Sequence, residues 1–224
     1  MDFLRQTLVI AGKDLTLELR SRDRILSMAI FSVLVAVVFS FALDPGVSTR
    51  SIAGAMIWVT ILYAGMLGLG RSFAIEQEQD ALIGVLLTPI DRGALFFGKF
   101  VANLALLLVA VLLIFLIYGL FFSLSMGGAL TGLALITFLA CVGFMALGTL
   151  FSAMSVHTTL GTTLLPIVLI PLLIPVVIYG TAATQRLLVG RPLDEVMGSV
   201  RMLTAFDLIF VIICTMIFGA VVEE

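Results

Sequence analysis

Six apolar stretches, at approximately 25–43, 52–70, 95–122, 128–151, 160–179 and 203–222, divide this chain, and each is long enough to cross a bilayer. A hydrocarbon layer about 30 Å thick takes about 20 helical residues, and inside it every backbone N–H and C=O must find its partner within the protein. Such stretches can fold only as helices. The composition agrees: 62% of the 224 residues are hydrophobic and 12% charged, against about 25% charged in soluble domains. The expected fold is therefore an all-α integral membrane protein with six transmembrane helices, one domain over 1–224. Six spans take up most of the length, which leaves no room for a separate soluble domain.

The charges between the spans set an orientation. Arg5, Lys13, Arg20, Arg22 and Arg24 precede the first span, and Arg71, Arg92 and Lys99 flank the third; Arg50, Arg186, Arg191 and Arg201 fall on the other side. The excess of Lys and Arg places both termini and the 71–99 region in the cytoplasm. The segment 152–159 adds neither Lys nor Arg to the count.

Residues 1–23 are too long and too acidic for a secretory signal. Leu4, Leu8, Ala11, Leu15 and Leu19 recur near helical spacing, blurred by Val9 and Ile10, with Arg5, Lys13, Glu18 and Arg20 elsewhere. This predicts an interfacial helix lying among lipid headgroups. On the opposite side, Leu193, Val196, Met197 and Val200 follow Pro192 at i, i+3, i+4, i+7, predicting a second short amphipathic helix before span six. Asp207 then falls near the outer end of that span, as a hydrated helix start rather than a proton relay.

The island 71–92 is the charged exception in the middle of the chain. Burying Glu76, Glu78, Asp80 and Asp91 in hydrocarbon would cost about 2.5–3.5 kcal/mol each, on the order of 10 kcal/mol together, so the segment sits in water or at the interface. Its pattern suits an amphipathic helix from about 73 to 88, with Phe73, Ile75, Leu82, Ile83, Leu86 and Leu87 available to bury and the acids near its start. Thr88 precedes Pro89, which stops the helix. A helix of this kind can insert into a soluble partner or lie on the membrane.

Several motifs fail as chemistry. Gly93-Ala-Leu-Phe-Phe-Gly-Lys99 has the spacing of a phosphate-binding loop, but Phe100 stands where Ser or Thr should hold magnesium, and no strand precedes it. Lys99 is expected instead to snorkel to the interface. His157 has no partner base, acid or metal ligand nearby, and Cys141 and Cys214 read as small apolar side chains. No catalytic residues, metal ligands or cofactor site are identified, and nothing suggests nucleic acid as a partner. Gly65, Gly68, Gly70, Gly128, Gly132, Gly143 and Gly148 read as small surfaces for helix packing. Pro166, Pro171 and Pro175 predict a kinked or locally unwound fifth span.

A wider set of residues carries a resemblance. Arg71-Ser-Phe73, Glu76, Asp80-Ala-Leu82, Gly84, Leu86-Leu87, Pro89-Ile-Asp-Arg92 and Gly98-Lys99 form one part of it. Lys13-Asp-Leu15, Glu18-Leu-Arg-Ser-Arg22, Phe39-Ser-Phe-Ala-Leu-Asp-Pro45 and Trp58 form the other. Together they resemble CcmB, the haem exporter protein B family of cytochrome c maturation permeases, over nearly the whole chain. One departure is Ile83, where many members carry an acid, so no charge contact is implied there.

The resemblance implies an ABC-2-like permease in a bacterial inner membrane, working as a homodimer with the cytoplasmic ATPase CcmA and with CcmC and CcmD. ATP is hydrolysed by the partner, and the energy is coupled either to haem handling or to release of the haem-loaded chaperone CcmE. The island becomes the coupling helix, with Phe73, Leu82, Leu86 and Leu87 against the ATPase, Glu76, Glu78, Asp80 and Arg92 as the charged rim, and Pro89 as the stop. Two other readings stay open at this point: a generic ABC-2 exporter permease for lipid, polysaccharide or drug, and a membrane scaffold with no power stroke.

Overall fold

The structure is a computed structural model that describes residues 3–44, 48–70, 91–124, 126–156 and 161–223. These form α1 (Phe3–Ser21), α2 (Asp23–Ala42), α3 (Thr49–Gly70), α4 (Arg92–Phe122), α5 (Leu130–Val156), α6 (Gly161–Leu188) and α7 (Met197–Glu223). Single 3-10 turns, Gly127–Ala129 and Leu193–Val196, lead into α5 and α7. Six of the helices are long and apolar enough to cross a membrane, and α1 is the one that is not.

α3 is the centre of the bundle. It is the most buried of the six spans, packed against α2, α4, α5 and α6, whereas α2 and α7 are the least buried and turn most of their side chains outward. Small residues allow the close approaches. A Cβ at Gly68 would overlap the Met28 terminal methyl, one at Gly65 would meet the Phe144 ring at 2.6 Å, and one at Gly180 would meet Trp58 at 2.6 Å. Gly132, Gly143 and Gly148 are similarly met by side chains of facing segments, whereas no described atom comes within 4 Å of a Cβ built at Gly70 or Gly128.

The polar groups of this core are paired across helices. Trp58 Nε1 donates to Thr184 Oγ1 at 2.9 Å, tying α3 to α6. The Thr60 and Tyr118 hydroxyls lie 2.7 Å apart, and each also reaches the Met56 carbonyl, at 2.9 and 3.3 Å. Each bond contributes about 1 kcal/mol net, and breaking one inside hydrocarbon costs more than it contributed. Cys141 and Cys214 are free and buried.

Two sequence expectations change. α6 runs as one continuous helix through Pro166, Pro171 and Pro175, so of the two forms expected, kinked or locally unwound, the unwound one is not seen. Neighbouring helices and local adjustment can accommodate such losses within a membrane bundle. Before span six there is no separate amphipathic helix: Leu193–Val196 is one 3-10 turn and Met197 already opens α7. Of the predicted stripe, Val196 is fully buried while Leu193 and Met197 are exposed.

Candidate functional site: the end of the bundle that carries the island

α3 ends at Gly70 and α4 begins at Arg92, so the island joins them at one end of the bundle. The same end holds the close of α5, where Ser152 Oγ donates to the Leu69 carbonyl at 2.9 Å. It also holds the close of α7, whose Phe218 ring sits 5.3 Å from that of Phe96. Phe73, Glu76, Glu78, Asp80, Leu82, Leu86, Leu87 and Pro89 lie outside the described residues, as does His157. Of the expected contact residues, only Arg92 is described, half-buried as the first residue of α4.

The exit from the island is firmly seated. Asp91 caps α4: its side chain accepts from the Gly93 N–H at 2.8 Å and the Ala94 N–H at 3.3 Å, taking up donors that a helix start leaves free. The Asp91 N–H itself donates to Gln6 Oε1 of α1 at 3.2 Å.

α1 lies along the first turns of α4. Gly98 makes this possible, since a Cβ there would fall 2.6 Å from Ile10 Cβ and 3.1 Å from the Thr7 carbonyl oxygen. Phe3 and Phe97 meet edge to face at 6.0 Å. The predicted stripe of α1 mostly faces away from the protein: Leu4, Leu8 and Leu19 are exposed and Leu15 is half-buried. Ala11 alone of that stripe is buried, beside Thr7, Ile10 and Glu18. α1 thus has two working faces, an inner one on the bundle and an outer one that is apolar and uncovered.

Lys99 does not snorkel. It is 1% exposed, and its Nζ lies 3.2 Å from Asp14 Oδ2, because α1 covers the route to water and supplies the carboxylate. Lys13 sits 3.2 Å from the other oxygen of Asp14. The GxxxxGK spacing lies inside a helix, which removes any cradle for phosphate.

A second polar cluster fixes the corner between α1 and α2. Arg22 takes the left-handed conformation with φ 58°, and its N–H donates to the Glu18 carbonyl at 2.7 Å. The chain can then turn back, and the buried Glu18 side chain accepts from the Arg24 N–H at 3.0 Å and the Ile25 N–H at 3.4 Å. A carboxylate at this helix start is favoured by the dipole as well. Arg24 answers with its guanidinium, Nε 3.6 Å from Glu18 Oε2 and Nη2 2.8 Å from Asn103 Oδ1. Asn103 passes the chain on to Thr149 Oγ1 at 3.2 Å.

Glu18, Arg24, Asn103 and Thr149 therefore link α1, α2, α4 and α5 in one buried run. The sequence reading did not single out this combination; its one visible signal is Asn103, an amide in a span otherwise made of hydrocarbon. What the arrangement can do is mechanical: a displacement at the start of α4 is delivered to α1 through Asp14 and to α2 and α5 through Asn103. Among the described residues no group of three or more His, Cys, Asp or Glu is placed to hold a metal.

Comparison with known proteins bears on this same architecture. The CcmB protein family profile matches residues 5–224. The chain belongs to the CcmB family. This CcmB-family chain is 29% identical over 182 residues to "Heme exporter protein B" of Bradyrhizobium diazoefficiens, covering 80% of each. It is 28% identical over 203 residues to the protein of the same description from Rhodobacter capsulatus, covering 88% of this chain and 90% of the relative. A third, from Pseudomonas aeruginosa, is 25% identical over 185 residues and 82% of each chain. In CcmB-family terms the bundle is a multi-pass membrane protein.

Proposed function

We propose that the chain is the permease subunit of an ABC transporter for cytochrome c maturation, paired with a second copy of itself in a bacterial inner membrane. Both termini and the island face the cytoplasm. The island is received by the ATPase CcmA, with Phe73, Leu82, Leu86 and Leu87 buried against it and Glu76, Glu78, Asp80 and Arg92 at the rim, up to the stop at Pro89. ATP is hydrolysed by that partner and not by this chain. With CcmC and CcmD in the complex, the stroke is spent on haem handling or on releasing the haem-loaded chaperone CcmE.

The observation that carries this reading is the seating of the island's exit. Asp91 caps α4 and bonds to Gln6, and the Lys99–Asp14 and Arg24–Asn103 contacts follow within the next turns. A push on a loosely attached loop would be lost, whereas a push on Arg92 reaches three other helices, α1, α2 and α5. Family membership and the names of the relatives supply the cargo side of the proposal.

The test is the Leu86→Asp/Leu87→Asp double variant. It should insert in the membrane at wild-type levels and lose CcmA on copurification; retention of CcmA at wild-type levels would overturn the coupling assignment. Recovery of CcmE and CcmC with the wild-type complex separates this function from export of lipid, polysaccharide or drug. Loss of c-type cytochromes on deletion, with no dependence on ATPase turnover, would instead support a scaffold.

A further inference from the structure

Asp207 was expected at a hydrated helix start, and the structure puts it elsewhere. α7 begins at Met197, so Asp207 is about 15 Å along the helix axis, inside the span and about two turns beyond the exposed Arg201. It is only 6% exposed; among the described residues neither carboxylate oxygen has a partner of full hydrogen-bond geometry, and the one polar group facing it is the Gly143 backbone N–H. Asp207 Oδ1 lies against Gly143 of α5, where an added Cβ would come within 2.5 Å of it and within 2.9 Å of the Phe206 ring. The absent side chain at Gly143 is what leaves room for the carboxyl.

No described cation neutralises it. α5 carries no charged residue, and its titratable group near Asp207 is the buried thiol of Cys141. On α4, Lys99 is held by Asp14 and Arg92 opens the helix at the island end, while Tyr118 is engaged by Thr60. Arg186 of α6 donates to the Glu195 carbonyl at the opposite end, where Asp194 and Glu195 also lie. Tyr179 of α6 is half-buried and is not hydrogen-bonded to Asp207, and Arg201, on α7 itself, is exposed. Thr137, whose hydroxyl is the one buried side-chain group on α5 without a partner among the described residues, lines a groove facing α4.

An ionised carboxylate without a partner is among the costliest groups to bury, and such a group neutralises itself by taking a proton. The geometry points to Asp207 as a proton-binding site inside the membrane: at neutral pH it is a neutral acid seated against the α5 backbone at Gly143. The proton leaves when α5 and α7 part enough to admit water. Release of the proton and separation of the two helices are therefore linked, each favouring the other.

The experiment is infrared spectroscopy of the full chain in vesicles of phosphatidylethanolamine and phosphatidylglycerol, wild type against Asp207→Asn. The wild type should show a protonated-carboxyl C=O stretch at pH 7 that the isosteric variant lacks, and the band should disappear as pH rises. Identical spectra in that region at pH 7 would mean an ionised Asp207 and overturn the proposal. Gly143→Ala forces the α5–α7 contact apart and should move the band in frequency and make it vanish at lower pH; an unchanged band and pH profile would overturn the link. If that variant fails to insert, Phe206→Ala loosens the same contact by removing the neighbouring ring and is read the same way.

Discussion

At the scale of single residues, the polar side chains at the island end differ in how much each removal should cost. Arg24 is the sole described guanidinium against Glu18, and both are almost fully buried. Arg24→Leu removes the cation facing a buried carboxylate and its bond to Asn103, and should destabilise the protein by about 3–5 kcal/mol, seen as a lower midpoint of thermal unfolding in detergent. Lys99→Met should cost distinctly less, because Lys13 at 3.2 Å still compensates Asp14. Equal losses in the two variants would show that Lys13 contributes nothing. These pairings were hidden in the sequence for a physical reason: Arg24 and Asn103 are 79 positions apart, Asp14 and Lys99 85. A charge beside an apolar run reads as solvated until the element that covers it is placed. Asp207 differs for another reason: α7 starts at Met197, six residues before the apolar run, and its packing on α5 buries the carboxyl that the run alone leaves in water.

Among the elements, the spans were legible because hydropathy and length alone decide what a bilayer accepts, and all six stretches became helices. α1 was half legible. Its outward Leu stripe followed from spacing, while its inward face rests on Thr7, Ile10 and Glu18, whose burial depends on a glycine in another helix. Gly98→Leu should therefore unseat α1 from α4 without disturbing the spans. Limited proteolysis would then cut within 3–21 while the remaining fragment stays in the membrane, and wild-type resistance of α1 would contradict the packing. The α3–α6 contact offers a milder test. Trp58→Phe gives up both the bond to Thr184 and the outer indole atoms that lie against Gly180, for an expected loss of at least about 1 kcal/mol in unfolding free energy. The contact surface of the island was legible only as a pattern, and its residues from Phe73 to Pro89 lie outside the described part of the chain.

For the molecule as a whole, an even number of spans brings both termini and the island to one end and Arg50, Arg186 and Arg191 to the other. With the positive-inside orientation, Arg191→Cys should react with a membrane-impermeant thiol reagent added to spheroplasts, and Arg5→Cys only after the membrane is opened. The reverse pattern would invert the proposed topology. Cys141 and Cys214 are buried and should give no background. The central position of α3 also has a consequence for how the protein is made. α3 is the least hydropathic of the six spans and the most enclosed by the others. It leaves the ribosome well before its partner α6, for Trp58 and Thr184 are separated by 126 positions. At about 5–20 residues per second, the indole waits roughly 6–25 s for its acceptor. During that interval the nascent chain must be sheltered by the insertion machinery or by α2, which makes the synthesis of the second half a timed step in the assembly of the first.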